Sequence, residues 1–168
     1  SEKGEPASTS AIAGALAVQP ASVTGMVKRM AESGLLEHAP YRGVRLTPLG
    51  QREALKVLRR HRIIETYLCR RLGFAWEDVH EEAERLEHAA SDQLVERMAA
   101  SLAFPSHDPH GAPIPTRAGE IEEVDSATLA DARPGSLLRV RAVRDEDPDR
   151  LRSLEATGLR PGARVRVE

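Results

Sequence analysis

The stretch 61-HRIIETYLCRRLGFAWEDVHEEAERLEHAASDQLVERM-98 decides how this chain reads. Ile63, Tyr67 and Leu68, with Leu55 and Leu58 before them, recur at helical spacing, and Gly73 is a helix-ending residue. The pattern predicts one long helix from Pro48 to about Arg71 and a second from about Trp76 to Leu102. On the second, His80, Glu84 and His88 recur every four residues, and Glu87 flanks the same stripe. On the first, His61 and Glu65 are also four apart. Residues four apart lie along one helical face. A short turn at Gly73 makes the two helices antiparallel neighbours whose stripes face each other. His61, Glu65, His80, Glu84, Glu87 and His88 then form a set of nitrogen and oxygen donors. Such donors suit manganese, ferrous iron, cobalt or zinc, whereas thiolates favour softer metals. One His-x-x-x-Glu pair alone reads as a solvated acidic helix. Two such pairs on neighbouring helices, with histidine in both, point to a metal.

Upstream, residues 8–18 read as a short helix capped by Ser8, Thr9 or Ser10, with Ile12, Ala15 and Leu16 as its apolar face. Gln19-Pro20 is a break, and proline suits the first turn of the next helix, 21–33, which ends at Gly34. Two short helices joined by a tight turn are a helix-turn-helix pattern. Strand-like runs at Leu35–His38 and Val44–Thr47, around a loop with Pro40 and Gly43, make a basic hairpin, or wing, with Arg42 at its tip. DNA contacts are expected from the second helix and the wing. Ser22 and Thr24 are placed for bases or phosphates; Gln19, Lys28, Arg29 and Arg42 are placed to hold phosphates.

Downstream, Pro105, Pro109, Pro113 and Pro115 exclude a helix over 104–116, and a further helix or turn is possible at 120–124. From Ala127 the texture is that of a small all-β module, with strands in LLRVRAV and ARVRVE and turns at Pro134-Gly135 and Pro161-Gly162. Cys69 reads as a buried small hydrophobe, His38 as an exposed strand residue, and His107 and His110 as loop residues rather than ligands.

The charge distribution agrees with two partners of opposite sign. The net charge of -2 conceals ten Lys or Arg against five Asp or Glu in residues 1–62, and eight acids against two arginines in 77–97. A basic front suits a polyanion and an acidic middle a cation. One cysteine in 168 residues excludes an internal disulfide and a cysteine-rich zinc cage, and fits a reducing cytoplasm. No apolar run reaches the roughly 20 residues of a membrane span, and the polar N-terminus lacks a secretory signal.

Together with PHGAPIP at 109–115, the opening stretch resembles the metal-binding and dimerisation domain of the diphtheria toxin repressor family, which includes the manganese-dependent MntR regulators. VQPASVTGMVKRMAESGLLEHAPYRGVRLTPLG (18–50) is similar to the family's recognition helix and wing, and the tail from Ala127 to its SH3-like (FeoA-like) domain. The resemblance implies a mainly α fold with small β elements. Its expected parts are a winged helix-turn-helix over 1–50 lacking its first helix, a metal-binding and dimerisation domain over 51–118, a linker over 119–126 and the SH3-like domain over 127–168. By the same resemblance, Glu84, Glu87 and His88 match one metal site and His61, Glu65 and His80 the second; in the manganese branch His61 helps bind a close metal pair. Position 84 is cysteine in iron-responsive members and glutamate in manganese-responsive ones, so Mn(II) is expected, with Fe(II) as the other candidate. A further ligand belongs to a first helix that this sequence does not include. Some members also draw a carboxylate and an amide from the C-terminal domain; here Asp147 matches the acid and Arg150 stands in the amide's place.

The function implied is a cytoplasmic, homodimeric regulator of double-stranded DNA with a palindromic operator, repressing metal-uptake genes when metal is replete. Two alternatives stand beside it: a metal-independent winged-helix regulator whose acidic helix is only a dimer interface, and a metallohydrolase. The second lacks an HExxH pattern and any evident nucleophile. No enzyme activity is expected.

Overall fold

A computed structural model describes residues 6–39, 43–124, 127–144 and 147–168. The chain folds as two compact units, Ser1–Leu55 and Lys56–Glu168.

In the first unit, the Ser8 hydroxyl accepts from the Ala11 amide at 3.0 Å and starts α1, Thr9–Ala15. Pro20 opens α2, Pro20–Glu32, where its missing N–H leaves no hydrogen bond unmade. Strands β1, Leu36–Ala39, and β2, Gly43–Leu46, pair antiparallel, with Leu36 opposite Leu46 and His38 opposite Val44. Ala13, Val23, Val27 and Val44 form the core of this unit, flanked by Ile12 and Leu36. His38 is exposed, as expected. Thr47 then does two jobs: its hydroxyl donates to the Gly34 carbonyl at 2.7 Å and accepts from the Gly50 amide at 3.0 Å, capping α3, Pro48–Leu72. Gly50 is required by space, since a Cβ there would lie 1.9 Å from the Leu35 carbonyl oxygen.

In the second unit, α3 buries Ile63, Ile64 and Leu68 and ends at Gly73, whose φ of +74° suits glycine. The expected second helix is in fact two: α4, Val79–Glu87, and α5, Asp92–Ser101. Ser91 makes the break, its hydroxyl accepting from the Leu94 amide at 3.2 Å and starting a new helix. Val79, Ala83, Val95, Ala99 and Ile114 close the core over α3.

The segment 120–124 holds no helix. The C-terminal module also differs from expectation. Its strands β3, Leu137–Arg139, and β4, Arg164–Arg166, are only three residues each, and between them lies α6, Pro148–Ala156. Asp147 caps α6 through Oδ1, and fully buried Leu151 anchors it. No single helix among the described residues is long and apolar enough to cross a membrane.

Two glycines separate by sign. Gly50→Ala drives a methyl into the backbone and is expected to destabilise the protein by about 3 kcal/mol, whereas Gly14→Ala, inside α1 with nothing within 4 Å, should stabilise it by about 0.5–1 kcal/mol. Urea unfolding of both variants checks this; equal midpoints would contradict it.

Candidate metal centre

His61 is the hub of the centre. Its Nε2 lies 3.0 Å from Glu65 Oε1 and 3.1 Å from His80 Nδ1, and its Nδ1 lies 2.9 Å from Glu87 Oε2. His80 Nδ1 is in turn 3.2 Å from Glu65. The helical stripes cause this: His61 and Glu65 stack one turn apart on α3, and His80 sits on the first turn of α4. One donor atom from each of His61, Glu65 and His80 lies within 4.8 Å of the others.

A second group shares Glu65. Donors of Glu65, Asp108 and His110 also lie within 4.8 Å of one another, and all three residues are buried. From its sequence His110 reads as a loop residue without a ligand's role. The structure places it 9% exposed, its Nε2 donating to the Trp76 carbonyl at 2.8 Å, which leaves Nδ1 as the acceptor nitrogen. Asp108 Oδ1 accepts from the His110 and Ala112 amides, each at 2.9 Å, folding the loop back on itself. Its Oδ2 lies 3.3 Å from Arg62 Nε. The signal available in the sequence was Asp-Pro-His-Gly itself, a tight turn placing two donors one residue apart.

The other expected ligands are arranged differently. Glu87 is shielded, while the side chains of Glu84 and His88 are 62% and 84% exposed. They reach the cluster at its rim: Glu84 lies 3.8 Å from His80 and His88 lies 3.6 Å from Glu87. Asp147 is engaged as the cap of α6. Cys69 is half-buried beside the apolar core and belongs to neither donor group.

Electrostatics fit a cation. Burial pulls the His61 pKa down, but hydrogen bonds and charge from Glu65 and then Glu87 outweigh it, leaving it above the ordinary 6.5. Burial pushes Glu65 up, yet hydrogen bonding and charge from His61, then His110, hold it below the ordinary 4.5. Burial, and then the charge of Glu65, raises Asp108. Two buried carboxylates facing each other need positive charge between them. With imidazole and carboxylate donors and no thiolate, a hard divalent ion fits the set.

Of the expected DNA contacts, Gln19 at the N-cap of α2 and Ser22, Thr24, Lys28 and Arg29 on the helix are all exposed, while Val23 and Val27 are buried. Arg42 lies outside the described residues.

Comparison with known proteins agrees with this architecture. Residues 47–116 match the family described as iron dependent repressor, metal binding and dimerisation domain, residues 1–44 its N-terminal DNA binding domain, and residues 127–168 the FeoA domain. The iron-dependent repressor IdeR of Mycobacterium leprae is 34% identical over 160 residues, covering 88% of this chain and 69% of that protein. The chain belongs to the diphtheria toxin repressor family. Among solved structures, a manganese-dependent transcriptional repressor in complex with manganese aligns with a TM-score of 0.89 at 38% identity, over 98% of this chain and 75% of its own. ScaR with bound Cd2+ aligns at 0.84 and 34% identity, over 98% and 77%. MntR of Lysinibacillus sphaericus is 35% identical over 103 residues, 61% of this chain and 73% of that regulator. Members of the diphtheria toxin repressor family are metal-dependent DNA-binding repressors, not enzymes, and include both manganese and iron regulators.

The raised His61 pKa sets a pH dependence. If His61 is a ligand, a divalent metal must displace a proton that this ring holds more tightly than an ordinary histidine, and metal affinity should fall as pH drops, starting above pH 6.5, with proton uptake on metal removal. Calorimetric titrations in buffers of different ionisation enthalpy measure this; pH-independent binding between 6 and 8 would refute it.

Proposed function

We propose that this chain is a homodimeric, cytoplasmic repressor that responds to Mn(II), with Fe(II) as the second candidate, and binds a palindromic operator to silence metal-uptake genes when metal is replete. The preassembled His61–Glu65–His80 group, with Glu65 buried and both histidines partly buried, supports this reading. Its domains are taken as 1–50 for DNA binding, 51–118 for metal and dimerisation, and 127–168 for the SH3-like module, after the linker 119–126.

His61, Glu65 and His80 would hold one ion, with Asp108 and His110 on the other side of Glu65; Glu84, Glu87 and His88 would hold another. A bound divalent ion supplies positive charge and fixed coordination. The side chains do the rest. Glu65 and Asp108 would lose their mutual repulsion, and α3 and α4 would be held together by residues from both. Helix α3, which starts at Pro48 after the wing, carries His61 and Glu65. Gln19, Ser22, Thr24, Lys28, Arg29 and Arg42 would then meet the major groove and phosphates, two reading heads per dimer on two half-sites. If only the metal-ordered dimer matches the half-site spacing, metal and DNA must tighten each other's binding. Glu84, an oxygen donor where a thiolate would favour softer ions, supports manganese.

Operator binding at fixed salt, titrated with manganese, ferrous iron and zinc, tests this. Manganese should tighten wild-type binding by a factor of about 5–150, the usual range of allosteric coupling. His88→Ala should abolish the gain, and Glu84→Cys should shift the response towards iron. DNA affinity that ignores metal would leave the metal-independent regulator as the better account.

A further inference from the structure

The break between α4 and α5 is held from a distance. Arg60 on α3 donates through Nη1 to the Glu87 carbonyl and the Ala90 carbonyl, each at 3.0 Å, and through Nη2 to the Asp92 carboxylate. The last carbonyls of a helix have no partner within it and carry partial negative charge. Arg60 supplies both the donors and the compensating charge there. Asp92 is almost fully exposed, so its ion pair contributes little; the grip on the carbonyls is the substantive contact.

The two gripped carbonyls bracket His88. That residue is the C-cap of α4, its side chain is 84% exposed, and its Nε2 lies 3.6 Å from Glu87 Oε1. With the imidazole so exposed, the backbone turn sets the point from which it reaches out. Next along α3, His61 Nδ1 takes the other end of Glu87, at Oε2, 2.9 Å away. Adjacent residues of α3 thus hold Glu87 by its main chain and by its side chain.

We infer that Arg60 is a positioning residue for the Glu84–Glu87–His88 donor group, setting the backbone turn from which Glu87 and His88 reach a metal. This rests on the reading of that group as a metal site. A guanidinium fork bonds two carbonyls and a carboxylate from one fixed plane; a lysine ammonium offers the charge without the fork. Arg59 is the natural control. It lies on the same helix and ties Pro115 O at 2.9 Å and Glu96 at 3.2 Å, touching α5 and the following loop but not the His88 turn.

The test is manganese binding, followed by the EPR signal of free Mn(II), together with thermal unfolding of the metal-free protein. Wild type, Arg60→Gln, Arg60→Lys, Arg59→Gln and His88→Ala are compared. Loss of an outer residue that orients metal ligands typically costs about 10- to 100-fold in affinity. Arg60→Gln should lose this much in the same binding step that His88→Ala removes, with the other step kept. Arg60→Lys should recover part of the loss. Arg59→Gln should lower thermal stability yet leave both steps unchanged. If Arg60→Gln and Arg60→Lys bind like wild type while His88→Ala loses a step, the metal reading holds and the role of Arg60 is wrong. If Arg59→Gln weakens that step as much as Arg60→Gln, the effect is general destabilisation and the inference is overturned. If His88→Ala loses nothing, the metal reading of this group fails, and the inference with it.

Discussion

A carboxylate in a packed helical core has to be matched by positive charge, and the second unit is organised around that constraint. Glu65 is 3% exposed and sits on the helix that buries Ile63, Ile64 and Leu68. Burying an unpaired charge is far more costly than one hydrogen bond is worth. His61 from its own helix, His80 from α4 and His110 from the loop all approach it. Asp108 brings a second buried carboxylate to the same place. His61, whose pKa is raised, can answer this demand by holding a proton, and on the proposed reading a divalent ion would answer it by displacing that proton, so that protons and metal compete.

The arginines of α3 keep that competition local. Arg59, Arg60 and Arg62 each donate to a backbone carbonyl in a segment that α3 must hold: Pro115, the end of α4, and Pro113. Arg62 also pairs with Asp108. The proline-rich loop meets part of its own hydrogen-bond demand, the Asp108 amide donating to the Ala112 carbonyl and the Ile114 amide to that of Ser106, and Arg62, through Pro113 and Asp108, ties it to α3 beside Glu65. The C-terminal module reaches the same loop, with the Val143 amide donating to the His110 carbonyl at 2.9 Å. Gly111 has no room for a side chain, because a Cβ would lie 2.2 Å from the Arg141 carbonyl oxygen.

What was legible in the sequence followed from local periodicity. His61 with Glu65 and His80 with Glu84 stand one helical turn apart, so their faces could be read without knowing the fold. The helix-turn-helix, the wing and α3 were legible for the same reason. The break at His88 was not, because it depends on Ser91 competing for a cap and on Arg60 donating to the freed carbonyls from far along the chain. The burial of His110 was hidden too, since a loop residue acquires its surroundings only when Asp108 folds the turn and the segment before α4 presents the Trp76 carbonyl. Helix α6 was missed because it is short and charged, with Leu151 its one buried side chain.

The central claim is that a divalent ion occupies the space around Glu65. Anomalous diffraction at the manganese edge from crystals grown with Mn(II) examines this most directly. The account predicts an anomalous peak coordinated by His61, Glu65 and His80, absent from a Glu65→Gln crystal. A manganese-loaded crystal with full occupancy elsewhere and no peak beside Glu65 would contradict it.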